Sequence, residues 1–256
     1  MTLLQKQLMS PRIFSLALFT TLLAWPVCAQ TNAIALYDAG ADAAAPDPAT
    51  VGWTRSGTGG TVGGLSPDGA SGLNAWTVND NTSAAIGQAY STNLDAAHHA
   101  AAATNGWEFL AKLRMTNGYT GGSSIYLQYN NASSRWFYFV DVTTAGALTV
   151  QTFNPAQTLT VQQTHDGAYH EFSLTKYPTN TSASLSMDGS FVTSIGPYAV
   201  GGLSGCAFGA GSTGGDGAAN FNRIQFTTLP PQTNPAPTNP PPTTLKLARV
   251  FASNAV

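Results

Sequence analysis

An all-β, two-sheet antiparallel sandwich is the fold class this sequence predicts, on three observations. Between Ile34 and Leu229 apolar and polar residues alternate in short runs, the two-residue period of a half-buried strand. Clusters of Gly, Asn, Asp and Ser separate those runs, as turns between strands require. No long stretch carries the apolar period of an amphipathic helix.

The chain opens with Lys6 and Arg12 ahead of an apolar run, Ile13 to Leu23, that ends at Val27-Cys28-Ala29. The run is too short to span a bilayer and leads into a small-residue cut pattern, so residues 1–29 are expected to be a signal peptide cleaved after Ala29. Lipid attachment at Cys28 is the alternative reading, for which Trp25-Pro26-Val27 is a poor context. No other stretch could cross a membrane, so the mature chain is expected to be secreted or periplasmic, without a membrane span.

The sandwich itself is expected over residues 30–229. Its clearest strand is Trp107 to Met115, where Trp107, Phe109, Ala111, Leu113 and Met115 share one face and Glu108, Lys112 and Arg114 the other. Ser124 to Asn130 and Arg135 to Thr143 follow, joined by the hairpin loop Asn130-Asn131-Ala132-Ser133-Ser134. Leu148 to Phe153, Thr158 to Gln163, Tyr169 to Lys176, Ser182 to Met187 and Ser190 to Ile195 come next, the last two separated by the tight-turn pair Asp188-Gly189. Asn220 to Thr228 is expected to close the fold by pairing back near its start, as Greek-key connections require. Only Ala96 to Ala103 has helical propensity, enough for one or two turns. Residues 230–244 are Pro-rich and read as an extended tether. Only Leu245 to Val256 follows, so the sequence reads as the front of a longer protein.

Composition narrows the partners. Cleavage would leave Cys206 as the sole cysteine, so no internal disulfide is expected and burial must supply the stability. Charged residues make up only 9% of the chain, and removing Lys6 and Arg12 leaves eight basic side chains against twelve acidic ones, a net charge of −4. Without clustered basic residues, nucleic acid is excluded as a partner. A low-charge surface rich in Ser, Thr, Asn and Gly suits an extracellular module facing neutral polymers, and equally a sticky structural protein; the expected partner is a glycan or polysaccharide and the expected state a monomer.

The middle of the chain resembles the concanavalin A-like lectin and laminin G-like jelly rolls, in Ala75-Trp76-Thr77-Val78-Asn79-Asp80, the Trp107 to Met115 strand, Tyr169-His170-Glu171-Phe172-Ser173-Leu174, Met187-Asp188-Gly189 and Cys206-Ala207-Phe208-Gly209. The resemblance implies a two-sheet antiparallel jelly-roll sandwich, one sheet face of which often contacts glycan or protein. It also implies calcium, held by Asp and backbone oxygens, for which Asp80 and Asp216 are the candidates; no other cofactor is expected. The tail, Leu245-Lys246-Leu247-Ala248-Arg249-Val250-Phe251-Ala252-Ser253-Asn254-Ala255-Val256, resembles the opening strand of the sialate O-acetylesterase family. That family's nucleophile motif, Gly-Gln-Ser-Asn, occurs nowhere in the chain. The resemblance therefore makes residues 245–256 the start of a following esterase domain.

Catalytic equipment is not expected in the sandwich. Gly-x-Ser-x-Gly does not occur, and Gly209-Ala210-Gly211-Ser212-Thr213-Gly214-Gly215 reads as a loop. Some jelly-roll relatives are glucanases with a strand-borne Glu-x-Asp-x-Glu, but Glu108 and Glu171, the only glutamates, fall on separate strands. His98-His99 and His165-Asp166-Gly167 read as helix and turn residues rather than metal ligands. Trp76, Trp107 and Trp136 alternate with apolar partners and are expected in the core. Lys112, Arg114, Tyr126 and Gln128, on polar strand faces, and Tyr119, in a Gly-rich loop, are therefore the carbohydrate-binding candidates. The expected function is a secreted, non-catalytic accessory module that binds carbohydrate for a tethered esterase. A structural spacer or adhesion domain, and a hydrolase of glycans or acetyl esters, are the alternatives.

Overall fold

The computed structural model describes residues 33–40, 45–57, 59–80, 87–117, 125–131, 133–199, 202–210 and 217–231. The leader, nearly all of the Pro-rich segment, the esterase-like tail, Tyr119 and Asp216 lie outside the described residues. The strands, in chain order, are β1 (Ala33–Asp38), β2 (Thr54–Ser56), β3 (Thr61–Leu65), β4 (Ala75–Asp80), β5 (Ala89–Asn93), β6 (Trp107–Asn117), β7 (Ile125–Asn130), β8 (Arg135–Val142), β9 (Leu148–Phe153), β10 (Ala156–Gln162), β11 (His170–Lys176), β12 (Ala183–Met187), β13 (Ser190–Ile195), β14 (Gly205–Ala210) and β15 (Gly217–Thr228). Among the described residues one α-helix, α1 (Ala96–Asn105), precedes β6. No helix among them is long and apolar enough to cross a membrane.

Two antiparallel sheets result. The first runs β13-β12-β11-β6-β15-β4-β3, with β1 also on β15; the second runs β10-β9-β8-β7-β14-β5-β2. The closing strand does pair back to the start: Tyr37 sits opposite Ile224 and Leu36 opposite Gln225. It lies at the centre of its sheet because it also pairs β4 and β6.

Period-two burial puts Phe109, Leu113, Phe172, Leu174, Phe221 and Phe226 of the first sheet against Leu127, Tyr129, Trp136, Tyr138, Val150 and Phe208 of the second. Each such side chain contributes about 1.5–3 kcal/mol by leaving water. The expected core tryptophans are there, with Trp76 7%, Trp107 2% and Trp136 4% exposed. Trp107 and Trp136 meet edge to face at 5.4 Å.

Six strands, β1, β2, β3, β4, β5 and β14, are not among the runs singled out as strands in the sequence. Thr61-Val62-Gly63-Gly64-Leu65 has two glycines and little apolar alternation, so its strand state comes from pairing with β4 rather than from propensity. The helix runs longer than its alanine stretch suggests, at ten residues, because both ends are satisfied. Asp95 accepts the His98 amide at 2.8 Å, and Gly106, at φ +89°, turns the chain out after Asn105.

Candidate functional site

Each sheet turns one face to the core and one outward, and the two outward faces differ in chemistry. On the first sheet, β6 presents Glu108, Lys112 and Arg114. Arg114 donates to Asp68 through Nε and Nη2, both at 2.9 Å. Asp68 also accepts from the Tyr169 hydroxyl and the Asn220 amide, each at 2.8 Å, and from the Ala70 amide at 3.2 Å. Burial alone would raise the Asp68 carboxyl, but the bonds from Asn220, Tyr169, Arg114 and Ala70 outweigh it and hold it down at about 2. The loop between β3 and β4 is thereby clamped onto this face. Glu108 accepts from Ser173 at 2.9 Å, Arg223 donates to Gln225, and Lys112 sits in register between Glu171 and Arg223. Glu108 and Glu171 stand opposite Thr175 and Lys112, which separates them by about 14 Å of backbone. That spacing exceeds the carboxylate separation of glycosidase pairs.

On the second sheet the outward face is aromatic. Ile125, Leu127 and Tyr129 of β7 point to the core, which turns Tyr126 and Gln128 outward. Across the β7–β8 register Tyr126 sits opposite Phe139, Gln128 opposite Phe137 and Asn130 opposite Arg135. On the other side Tyr126 faces Gly209 and Gln128 faces Ala207, and Ala207 in turn faces Ser91 of β5. With glycine and alanine on β14 the floor lies low, and the Tyr126, Phe137 and Phe139 rings rise beside it. The result is an open groove of about 340 Å³ whose lining also includes Gln128, Ser91 and Arg135. At Gly209 (φ +137°) a Cβ would lie 2.4 Å from the Gln88 carbonyl oxygen, so only glycine fits there.

The rings form a continuous patch. Phe137 stacks on Phe153 at 4.7 Å, Phe139 meets Phe153 at 5.5 Å, and Tyr126 meets Phe139 at 6.2 Å. Tyr198, 43% exposed, meets Phe137 edge-on at 5.7 Å, and its backbone pairs with that of Arg135. The Arg135 guanidinium lies 4.4 Å from the Phe137 ring centroid and 5.2 Å from that of Tyr198. Burial pushes the Tyr126 phenol up to about 12, so it stays a neutral donor and acceptor.

The five sequence candidates thus do not converge. Lys112 and Arg114 lie on the first sheet, Tyr126 and Gln128 in the groove of the second, and Tyr119 outside the described residues. Sequence reasoning passed over Arg135, Phe137, Phe139, Phe153 and Tyr198. A signal was present: Arg135-Trp136-Phe137-Tyr138-Phe139 alternates, yet both of its faces carry aromatic rings.

The histidines make local polar contacts. His98 pairs with Asp95, while His99 contacts the Tyr129 hydroxyl and Ser204. His170, 7% exposed, lies between Asp188 at 2.6 Å and Asp166 at 3.0 Å. For calcium, Asp80 is buried at the end of β4 opposite Gly217. A Cβ on Gly87 would lie 2.2 Å from both Asp80 Oδ2 and the Ala210 carbonyl, so two hard oxygen donors converge there. Among the described residues no group of three or more His, Cys, Asp or Glu is placed to hold a metal ion.

A second hollow, of about 300 Å³, lies between β10 and β13, the edge strands of the two sheets, and is lined by Leu159, Val161, Met187, Phe191 and Val192. Its polar lining is limited to Thr160 and Ser190.

No family model matches this chain, and no curated protein does. Among solved structures, it is similar to a carbohydrate esterase from Shiga toxin-encoding bacteriophage phi24B, at 13% identity and TM-score 0.61, over 78% of this chain and 100% of that one. The binding domain of botulinum neurotoxin DC, in complex with rat synaptotagmin II, matches at 9% identity and TM-score 0.43, over 69% of this chain and 43% of that one. Trypanosoma rangeli sialidase in complex with sialic acid matches at 11% identity and TM-score 0.42, over 70% and 30%. At such identities the likeness is one of fold, and the chain shares its two-sheet β-sandwich with the phage esterase structure.

Proposed function

We propose that this chain is a secreted, non-catalytic module that binds carbohydrate in the groove of the second sheet and is tethered to a carbohydrate esterase. One observation carries the binding half: Tyr126, Phe137, Phe139, Phe153 and Tyr198 gather on a sheet face that core formation does not require them to occupy. Aromatic rings stack on the apolar C–H faces of sugars, and Gln128 and Ser91 beside them supply hydrogen bonds for hydroxyls. The esterase half is supported by the Pro-rich segment and the tail resemblance, and the phage protein of similar fold is a carbohydrate esterase. Export is supported by the leader-like start. Any calcium is assigned to Asp80 and the Ala210 carbonyl, as a structural ion away from the groove.

Affinity electrophoresis of the full chain through gels carrying neutral and acidic polysaccharides tests the reading. Retardation of the wild type, lost in Phe139→Ala and Gln128→Ala at unchanged melting temperature, is the expected result. No retardation in any gel, or equal retardation of wild type and variants, would favour the spacer or adhesion alternative. Turnover of glycosides or acetyl esters by this chain alone would favour the hydrolase.

A further inference from the structure

We infer that the groove selects an acidic sugar, whose carboxylate is held by Arg135; this rests on the carbohydrate-binding reading above. Of the nine described residues lining the groove, Arg135 is the only one with a charge. It also differs from the other described arginines. Arg55 donates to Gln88, Arg114 to Asp68 and Arg223 to Gln225, whereas no described residue accepts a hydrogen bond from the Arg135 side chain. Its Nε is buried and unpartnered.

A guanidinium partly withdrawn from water without an acceptor is costly unless something repays it. The rings of Phe137 and Tyr198 repay part by cation–π attraction and fix the plane of the guanidinium, but they accept none of its in-plane N–H groups. Its two terminal Nη groups, which unlike Nε are not shut off from solvent, form a fork that matches a carboxylate with two parallel bonds, which a neutral hydroxyl cannot do. The neighbouring Phe139 ring, whose groove Arg135 also lines, would take the apolar face of the same sugar, placing ring and carboxylate recognition side by side. The ligand class is therefore a glycan carrying a sugar carboxylate, supplied either by a hexuronic acid or by a sialic acid.

Titration calorimetry with the full chain decides this, using a galacturonic acid oligosaccharide, its carboxyl-reduced neutral counterpart and sialyllactose. The wild type is expected to bind one of the two acidic ligands at least about tenfold more tightly than the neutral one, a preference that shrinks as salt rises; which acid wins identifies the source of the carboxylate. Arg135→Gln should bring acidic and neutral affinities together. Arg135→Lys, which keeps the charge and the stem over Phe137 but not the fork, should keep an intermediate preference. Equal wild-type affinity for acidic and neutral ligands, or a preference that survives in Arg135→Gln, overturns the acidic assignment and leaves the carbohydrate reading standing. Absence of binding to all three, together with no retardation in any polysaccharide gel, overturns both.

Discussion

Replacing Asp68 with alanine probes how the outward face of the first sheet is closed. The carboxylate is 4% exposed and receives Arg114, Tyr169, Asn220 and the Ala70 amide. Lowering of its pKa from 3.8 to about 2 corresponds to about 2 kcal/mol at neutral pH, an upper figure because Arg114 keeps 15% of its side chain in water. That figure already includes the bonds from the Asn220 amide and the Tyr169 hydroxyl. Asp68→Ala also strands the Arg114 charge, and removing one member of a buried ion pair costs roughly 3–5 kcal/mol. For a domain of about 200 residues that lowers Tm by about 10 °C. Thermal unfolding followed by circular dichroism measures it, and Asp68→Ala combined with Arg114→Met should recover at least half the loss, because the stranded charge goes too. The contribution of Asp68 is present in full above its unfolded value near 3.8 and lost as pH falls through about 2, so wild type and Asp68→Asn should converge only in strong acid. A Tm drop below about 2 °C, or a double variant no more stable than Asp68→Ala, would refute the reasoning.

Other perturbations have equally definite outcomes. Burial alone would lower the His170 pKa, but Asp188 and Asp166 outweigh it and raise it, so its contribution is complete below the unfolded value near 6.5 and lost as pH rises through the folded one. Urea unfolding should therefore show His170→Gln well below wild type at about pH 5 and close to it at about pH 9; a flat gap contradicts the bridge. Gly60→Ala places a Cβ 1.9 Å from the Asn79 carbonyl oxygen at φ +70° and should cost more than about 1 kcal/mol in the same assay, whereas Gly52→Ala, at φ +96° with nothing within 4 Å, should cost less. Equal costs would show that close approach is not what fixes Gly60. Added calcium should raise the wild-type Tm and leave Asp80→Asn unmoved, and equal responses would remove Asp80 from the calcium site. Phe191→Ser, at a ring 66% exposed, should change stability by less than about 0.5 kcal/mol and leave glycan retardation intact; lost retardation would move the site to the β10–β13 hollow.

Alternation made most of the sandwich legible, because strand β6 reads inward and outward by period two and its neighbour β11 repeats the pattern, whereas the central strand β15 is buried along most of its length. The site was less legible, for two physical reasons. Polar outward residues looked like ligand contacts when some were structural: Asp68 lies 46 residues from Arg114 and 152 from Asn220, and no local pattern announces such a pairing. Conversely, the outward rings of β8 merge in sequence with its inward ones, so nothing sets Phe137 and Phe139 apart until Tyr126 and Gln128 appear beside them in register.

The contrast between the two faces is what places the site. Polar groups on the first sheet are largely spent on one another, through Arg114 with Asp68, Glu108 with Ser173 and Arg223 with Gln225, so a ligand there would have to displace bonds already made. The second sheet has the opposite composition, with rings in mutual contact and an arginine whose fork finds no acceptor among the described residues. An apolar outward patch costs solubility, and an unpaired guanidinium costs solvation. A ligand with an apolar face and an anionic edge relieves both at once, which neither a bare neutral hydroxyl surface nor a purely apolar partner does.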